Sequence, residues 1–91
     1  MTTYRKRKAE KVLDRIGAEA KLELKIATDL YAKYMAAGDE ENARDWSSIH
    51  NGMLSMLQAL NMINTNELIL LIEYFTETGA KLAKEIKINA A

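Results

Sequence analysis

Basic side chains near the start of the chain are the residues whose types and spacing best suit binding to another molecule. Six of them are candidates for contacting phosphate or an acidic partner: Arg5, Lys6, Arg7, Lys8, Lys11 and Arg15. Lys8, Lys11 and Arg15 recur at helical spacing and therefore share one helix face. That face suits a nucleic-acid backbone, with binding that weakens as salt rises, and it suits an acidic protein patch equally well. No helix-turn-helix, zinc-finger or RNA-recognition pattern decides between the two.

The sequence gives little support for a catalytic site or a metal-binding site. His50 is the only imidazole, and the chain has no cysteine. Catalysis by His50 requires a nucleophile or carboxylate at matched spacing, and no Gly-x-Ser-x-Gly or His-Glu-x-x-His pattern occurs. One histidine without cysteine is too few for a zinc site, and the scattered glycines form no phosphate-binding loop. We therefore predict a protein that is not an enzyme, without a catalytic residue, metal, cofactor or small-molecule substrate.

The composition is that of one small globular domain. The 91 residues carry 13 basic and 13 acidic side chains, and 48% of them are hydrophobic. The longest apolar run, residues 68–72, is far shorter than the roughly 20 residues that span a bilayer. No apolar signal segment follows the basic residues at the start of the chain. We therefore expect a cytoplasmic protein with no membrane contact.

The apolar residues recur at helical spacing and predict three helices. The first covers about 3–37, the second begins at a cap formed by Asp39, and the third begins at Asn64, which forms a capping box with Glu67. A β-strand over 68–75 is rejected because the chain offers no second strand to pair with it. The expected fold is an all-α, antiparallel three-helix bundle with a long first helix.

The second helix carries an apolar stripe with alternating steps of three and four. Its members, predicted to face the bundle, are Trp46, Ile49, Met53, Met56, Leu60 and Ile63. The first helix is longer than the second, which can cover it only to about Leu13. Residues 1–12 are therefore predicted to overhang as a basic extension, and residues 13–91 to form the bundle domain.

Glycines interrupt each predicted helix, at Gly17, Gly52 and Gly79. Each glycine lowers the stability of its helix by about 1 kcal/mol relative to alanine. Gly52 and Gly79 are predicted to lie at similar heights on facing helices, which suits a close crossing of two backbones. The alternative is that they are merely tolerated.

The five consecutive apolar residues 68–72 extend beyond one helix face, so some of them need another cover. An exposed apolar patch on a small domain generally marks an interface, although the long first helix is an alternative cover. The candidate oligomer interface comprises Leu54, Leu57, Ile69, Leu70 and Tyr74. We therefore predict a small interaction or regulatory module that forms a homo-oligomer, most simply a dimer, and binds a protein partner. The alternative is a nucleic-acid-binding protein that uses its basic arm.

Overall fold

The computed structural model describes residues 1–90 as four helices. They are α1 (Thr3–Arg15), α2 (Ala18–Ala36), α3 (Glu40–Ala59) and α4 (Thr65–Ala90), and these residues contain no strand. The prediction of an all-α fold is confirmed. The prediction of three helices is wrong, because the expected first helix is divided into α1 and α2.

Gly17 divides the two helices. Its backbone has φ = +102° and ψ = 157°, a conformation that is essentially restricted to glycine. The chain reverses direction at this point, and the ammonium of Lys21 forms an ion pair with Asp14 across the bend. The sequence does contain a signal for the end of α1, although the apolar periodicity continues past it. Arg15 lies in the last turn of α1 and a glycine follows two positions later, which is a common way for a helix to end.

Gly17→Ala should lower the free energy of unfolding by about 1–2 kcal/mol, because a Cβ atom is strained at this positive φ. No atom lies within 4 Å of the place that the new Cβ would occupy, so the backbone conformation alone accounts for the effect. Urea denaturation followed by circular dichroism measures the change. An alanine variant as stable as the parent would show that the bend does not depend on glycine.

The basic segment does not overhang the bundle, contrary to the prediction. It forms most of α1, which runs antiparallel to α4 and buries Ala9 and Val12. Three ion pairs join this segment to α4: Met1 with Glu77, Arg5 with Glu73, and Arg15 with Glu67. The residue numbers rise along the first segment while they fall along α4, as in any antiparallel pair. The reversal at Gly17 explains the difference, because it returns this segment to the body of the protein.

The four helices alternate in direction along the chain. Residues 37–39 connect α2 to α3, and residues 60–64 connect α3 to α4. Asp39 accepts a hydrogen bond from the backbone of Asn42, as its predicted role as a cap requires. Asn64 and Glu67 form the reciprocal bonds of a capping box, at 2.8 and 2.9 Å. The shared core contains Ala9, Val12, Ile16, Leu24, Leu54, Leu57, Ile63, Leu70 and Leu71.

The two internal glycines of α3 and α4 differ in their surroundings. Gly79 is buried against α2, where an added Cβ would lie 2.8 Å from Cδ1 of Tyr31. Gly52 is exposed, and an added Cβ there would meet nothing within 4 Å. The close contact at Gly79 is therefore with the side chain of Tyr31 in α2, and Gly52 takes no part in it.

Candidate interaction surface

Half of the apolar stripe that was predicted to face the bundle is exposed. Ile49, Met56 and Leu60 expose 42%, 66% and 64% of their surface, and Met53 is half-buried. The buried face of α3 is instead formed by Ala43, His50, Leu54 and Leu57. The prediction is therefore wrong for the three exposed residues. Trp46 is half-buried like Met53, and Ile63, which follows α3, is buried in the core as predicted. Both sets of residues recur at helical spacing, and the packing of the other helices decides which of them is covered.

This part of the chain carries no formal charge. Residues 46–66 contain no Asp, Glu, Lys or Arg, whereas the chain's charged fraction of 29% would place about six among these 21 positions. The surface of α3 beyond its first two turns is therefore built from apolar and small polar side chains. Depletion of charge is typical of the central part of a protein–protein interface.

Small residues form a second line along the exposed side of α3. They recur at the same helical spacing as the apolar stripe and each precedes one of its members by one position: Ser48, Gly52, Ser55 and Ala59. All four are exposed. We call the stripe of Ile49, Met53, Met56 and Leu60 the ridge, the line of small residues the groove, and the two together the α3 surface. A bulky ridge beside a shallow groove suits the packing of another helix.

Most of the interface residues predicted from the sequence are not available on the surface. Leu54, Leu57 and Leu70 are buried within the chain's own core. Tyr74 is half-buried, and Ile69 alone is well exposed, at 54%. The prediction needs correction for the three core leucines. Leu54 and Leu57 lie on the buried side of α3, which packs against α2 and α4, whereas Leu70 lies on α4, over which α1 folds back.

The six basic candidates divide into two groups. Arg5 and Arg15 form ion pairs with Glu73 and Glu67 of α4. The other four are exposed and form no ion pair within residues 1–90: Lys6, Arg7, Lys8 and Lys11. The structure therefore keeps only part of the predicted basic face open to a partner.

Arg15 connects three elements. Its guanidinium donates hydrogen bonds to both carboxylate oxygens of Glu67, at 2.6 and 2.8 Å, and to the backbone carbonyl of Met62 at 3.0 Å. The hydrogen bonds from Arg15, followed by that from the backbone of Asn64, lower the pKa of Glu67 to about 2. Arg15 thereby fixes the end of α1 to the start of α4, a structural role that the sequence did not indicate.

His50 is buried in the structure. Its ring stacks on Phe75, with centroids 3.9 Å apart and planes 19° apart. Burial lowers the pKa of His50 to about 4, so the ring is neutral at pH 7. Within residues 1–90, no three His, Cys, Asp or Glu side chains form a group able to hold a metal ion. No helix among the same residues has the length and apolarity needed to cross a bilayer.

Comparison with known protein families, with curated proteins and with solved structures finds no match to this chain. The surfaces of the chain itself therefore supply the basis for a functional proposal.

Proposed function

We propose that this protein is a small cytoplasmic interaction module that is not an enzyme and that forms a homodimer through the α3 surface. The observation that carries the proposal is the ridge, in which Ile49, Met56 and Leu60 are exposed and Met53 is half-buried, in a segment without charge. An apolar stripe with alternating steps of three and four is the pattern by which one helix packs lengthwise against another. Within residues 1–90, no helix of the same chain covers the exposed members of the ridge.

A second copy of the chain fits the α3 surface better than an unrelated partner does, because the ridge and the groove are centred at the same height. The ridge is centred between Met53 and Met56, and the groove between Gly52 and Ser55, one residue or about 1.5 Å away along the helix. A twofold axis perpendicular to α3 would place the ridge of each copy in the groove of the other. Such an interface is isologous, as in most homodimers.

The neutral character of the surface favours the same arrangement. Two copies of a charged surface repel each other, whereas residues 46–66 bring no like charges together. The two methionines of the ridge adapt their shape to a partner's surface. Because the contact is apolar, the dimer should persist at high salt.

The assembly can be tested with Met56→Glu. Light scattering coupled to size-exclusion chromatography should give a dimer for the parent and a monomer for the variant, with dimer affinity at least tenfold weaker. The physical reason is that the new carboxylate would be desolvated without a partner. Met56 is exposed within the chain, so circular dichroism should show an intact fold.

Ile69→Glu is the matched control, because Ile69 is exposed to a similar degree but lies on α4. This variant should remain dimeric. A parent that is monomeric at every concentration would overturn the proposal. Dissociation by Ile69→Glu and not by Met56→Glu would move the interface to α4, where the sequence pattern placed part of it.

The alternative function, binding of a nucleic-acid backbone by α1, is favoured by the four basic residues that form no ion pair. Affinity for a nucleic acid that falls steeply as salt rises would support it. Dimerisation through α3 leaves α1 open, so the two functions are compatible.

A further inference from the structure

A cavity of about 580 Å³ lies between α1, α2 and α4, on a different part of the protein from the α3 ridge. Its apolar lining includes Leu24, Leu71 and Phe75, and Thr28 and Thr78 also line it. The volume lies within the range of about 300–1,000 Å³ that is usual for small-molecule sites. The cavity is therefore large enough for a ligand of one or two rings.

His50 also lines this cavity, and it is the feature that points to a ligand. The residue is only 4% exposed, and its Nδ1 atom is buried without a hydrogen-bond partner. An unpaired buried polar atom destabilises a fold, and native proteins contain few of them. A polar group inserted from the cavity would give Nδ1 the partner that residues 1–90 do not provide.

The chemistry of the walls limits the class of ligand. The imidazole is neutral at pH 7, so it does not attract an anion. Two rim lysines, Lys21 and Lys25, are already paired with Asp14 and Asp29. In total the rim carries three lysines and four carboxylates, which leaves it close to neutral. The rings of Phe75 and Tyr74 line the site and favour a flat apolar body.

We propose that this cavity binds a neutral, mainly aromatic small molecule whose single hydroxyl group forms a hydrogen bond with the imidazole of His50. The apolar body of the ligand would lie against Leu24, Leu71 and Phe75. The hydroxyl group would reach between these side chains to Nδ1 of His50, which is buried and unpaired.

The test uses p-cresol as the probe and p-xylene as a matched compound that replaces the hydroxyl group with a methyl group. Because His50 is the only histidine, ¹⁵N-labelled imidazole gives one set of NMR signals. In the parent protein, p-cresol should shift these signals in a saturable way and should bind about tenfold more tightly than p-xylene. A tenfold difference corresponds to about 1.4 kcal/mol, a reasonable value for one hydrogen bond to a buried atom.

Two variants locate the site, with the backbone amide signals of Thr28 and Thr78 as the readout. His50→Leu should bind p-xylene at least as tightly as p-cresol, because it keeps an apolar side chain of similar volume and leaves the buried hydroxyl group of p-cresol without a partner. Lys25→Ala, which changes only the rim, should keep the preference for p-cresol. If p-cresol causes no saturable change in the imidazole NMR signals of the parent protein, the proposal is overturned, whatever the variants show. A preference for p-cresol that survives in His50→Leu would overturn the assignment of His50.

Discussion

Gly79→Ala should lower the free energy of unfolding by about 1–3 kcal/mol, whereas Gly52→Ala should raise it by about 1 kcal/mol. The same methyl group is added to the middle of a helix in both variants. In a helix without tertiary contacts, alanine is favoured over glycine at either position. The opposite signs therefore measure the tertiary surroundings of each glycine.

The difference arises from Tyr31. A Cβ atom at position 79 would lie 2.8 Å from Cδ1 and 2.9 Å from Cε1 of the Tyr31 ring, well inside normal contact distance. The ring cannot move away freely, because it packs against Phe75 with centroids 4.9 Å apart. At Gly52 an added Cβ meets no atom within 4 Å, so only the gain in helix propensity remains.

Both substitutions are best measured by urea denaturation in the Met56→Glu background, because Gly52 lies in the proposed dimer groove and assembly would contribute to apparent stability. A double-mutant cycle with Tyr31→Ala isolates the contact. Gly79→Ala should cost little once the ring is removed. Equal costs of Gly79→Ala with and without the Tyr31 ring would refute the steric explanation.

The free energy of unfolding should fall by about 3 kcal/mol as the pH decreases from 7 to 4, and His50 should cause most of this loss. The pKa of His50 is about 4 in the folded protein, below its ordinary value of 6.5. Between these values the unfolded chain binds a proton that the folded protein excludes. The stability associated with neutral His50 is therefore complete above pH 6.5, declines as the pH falls towards 4, and changes little below that.

Chemical denaturation at a series of pH values measures this profile. His50→Leu should flatten it between pH 6.5 and 4, because the variant has no group that titrates at this position. A second loss should follow between pH 4.5 and 2, where Glu67 becomes protonated and its bonds with Arg15 weaken. Glu67→Gln should reduce the second loss and leave the first. If His50→Leu kept the full dependence above pH 4, the burial of His50 would not be its cause.

The proposed dimer surface and the proposed ligand site involve opposite sides of the same helix, α3. α3 directs Leu54 and Leu57 into the core and leaves its ridge for a partner, while His50 on the buried side reaches the cavity between α1, α2 and α4. A ligand at His50 would therefore contact the helix that carries the dimer surface. The two sites can nevertheless be tested separately, since Met56→Glu and His50→Leu alter different faces.

The sequence by itself determined the helical class and the starts of two helices. The caps at Asp39 and Asn64 were predicted correctly, because a capping bond joins residues only three positions apart. The spacing of apolar residues predicted helices because it reflects the helical period. These features depend on groups that are close together along the chain, so nearby residues suffice to specify them.

Only the tertiary structure decided which faces of those helices are buried. α3 has two apolar stripes at helical spacing, and both satisfy the same sequence pattern. The stripe that is covered depends on the packing of α3 against α2 and α4. His50 likewise is buried with an unpaired nitrogen and stacks on Phe75, 25 positions away in the chain. Burial depends on contacts between residues far apart in the chain, and one helix's periodicity contains no information about its partners.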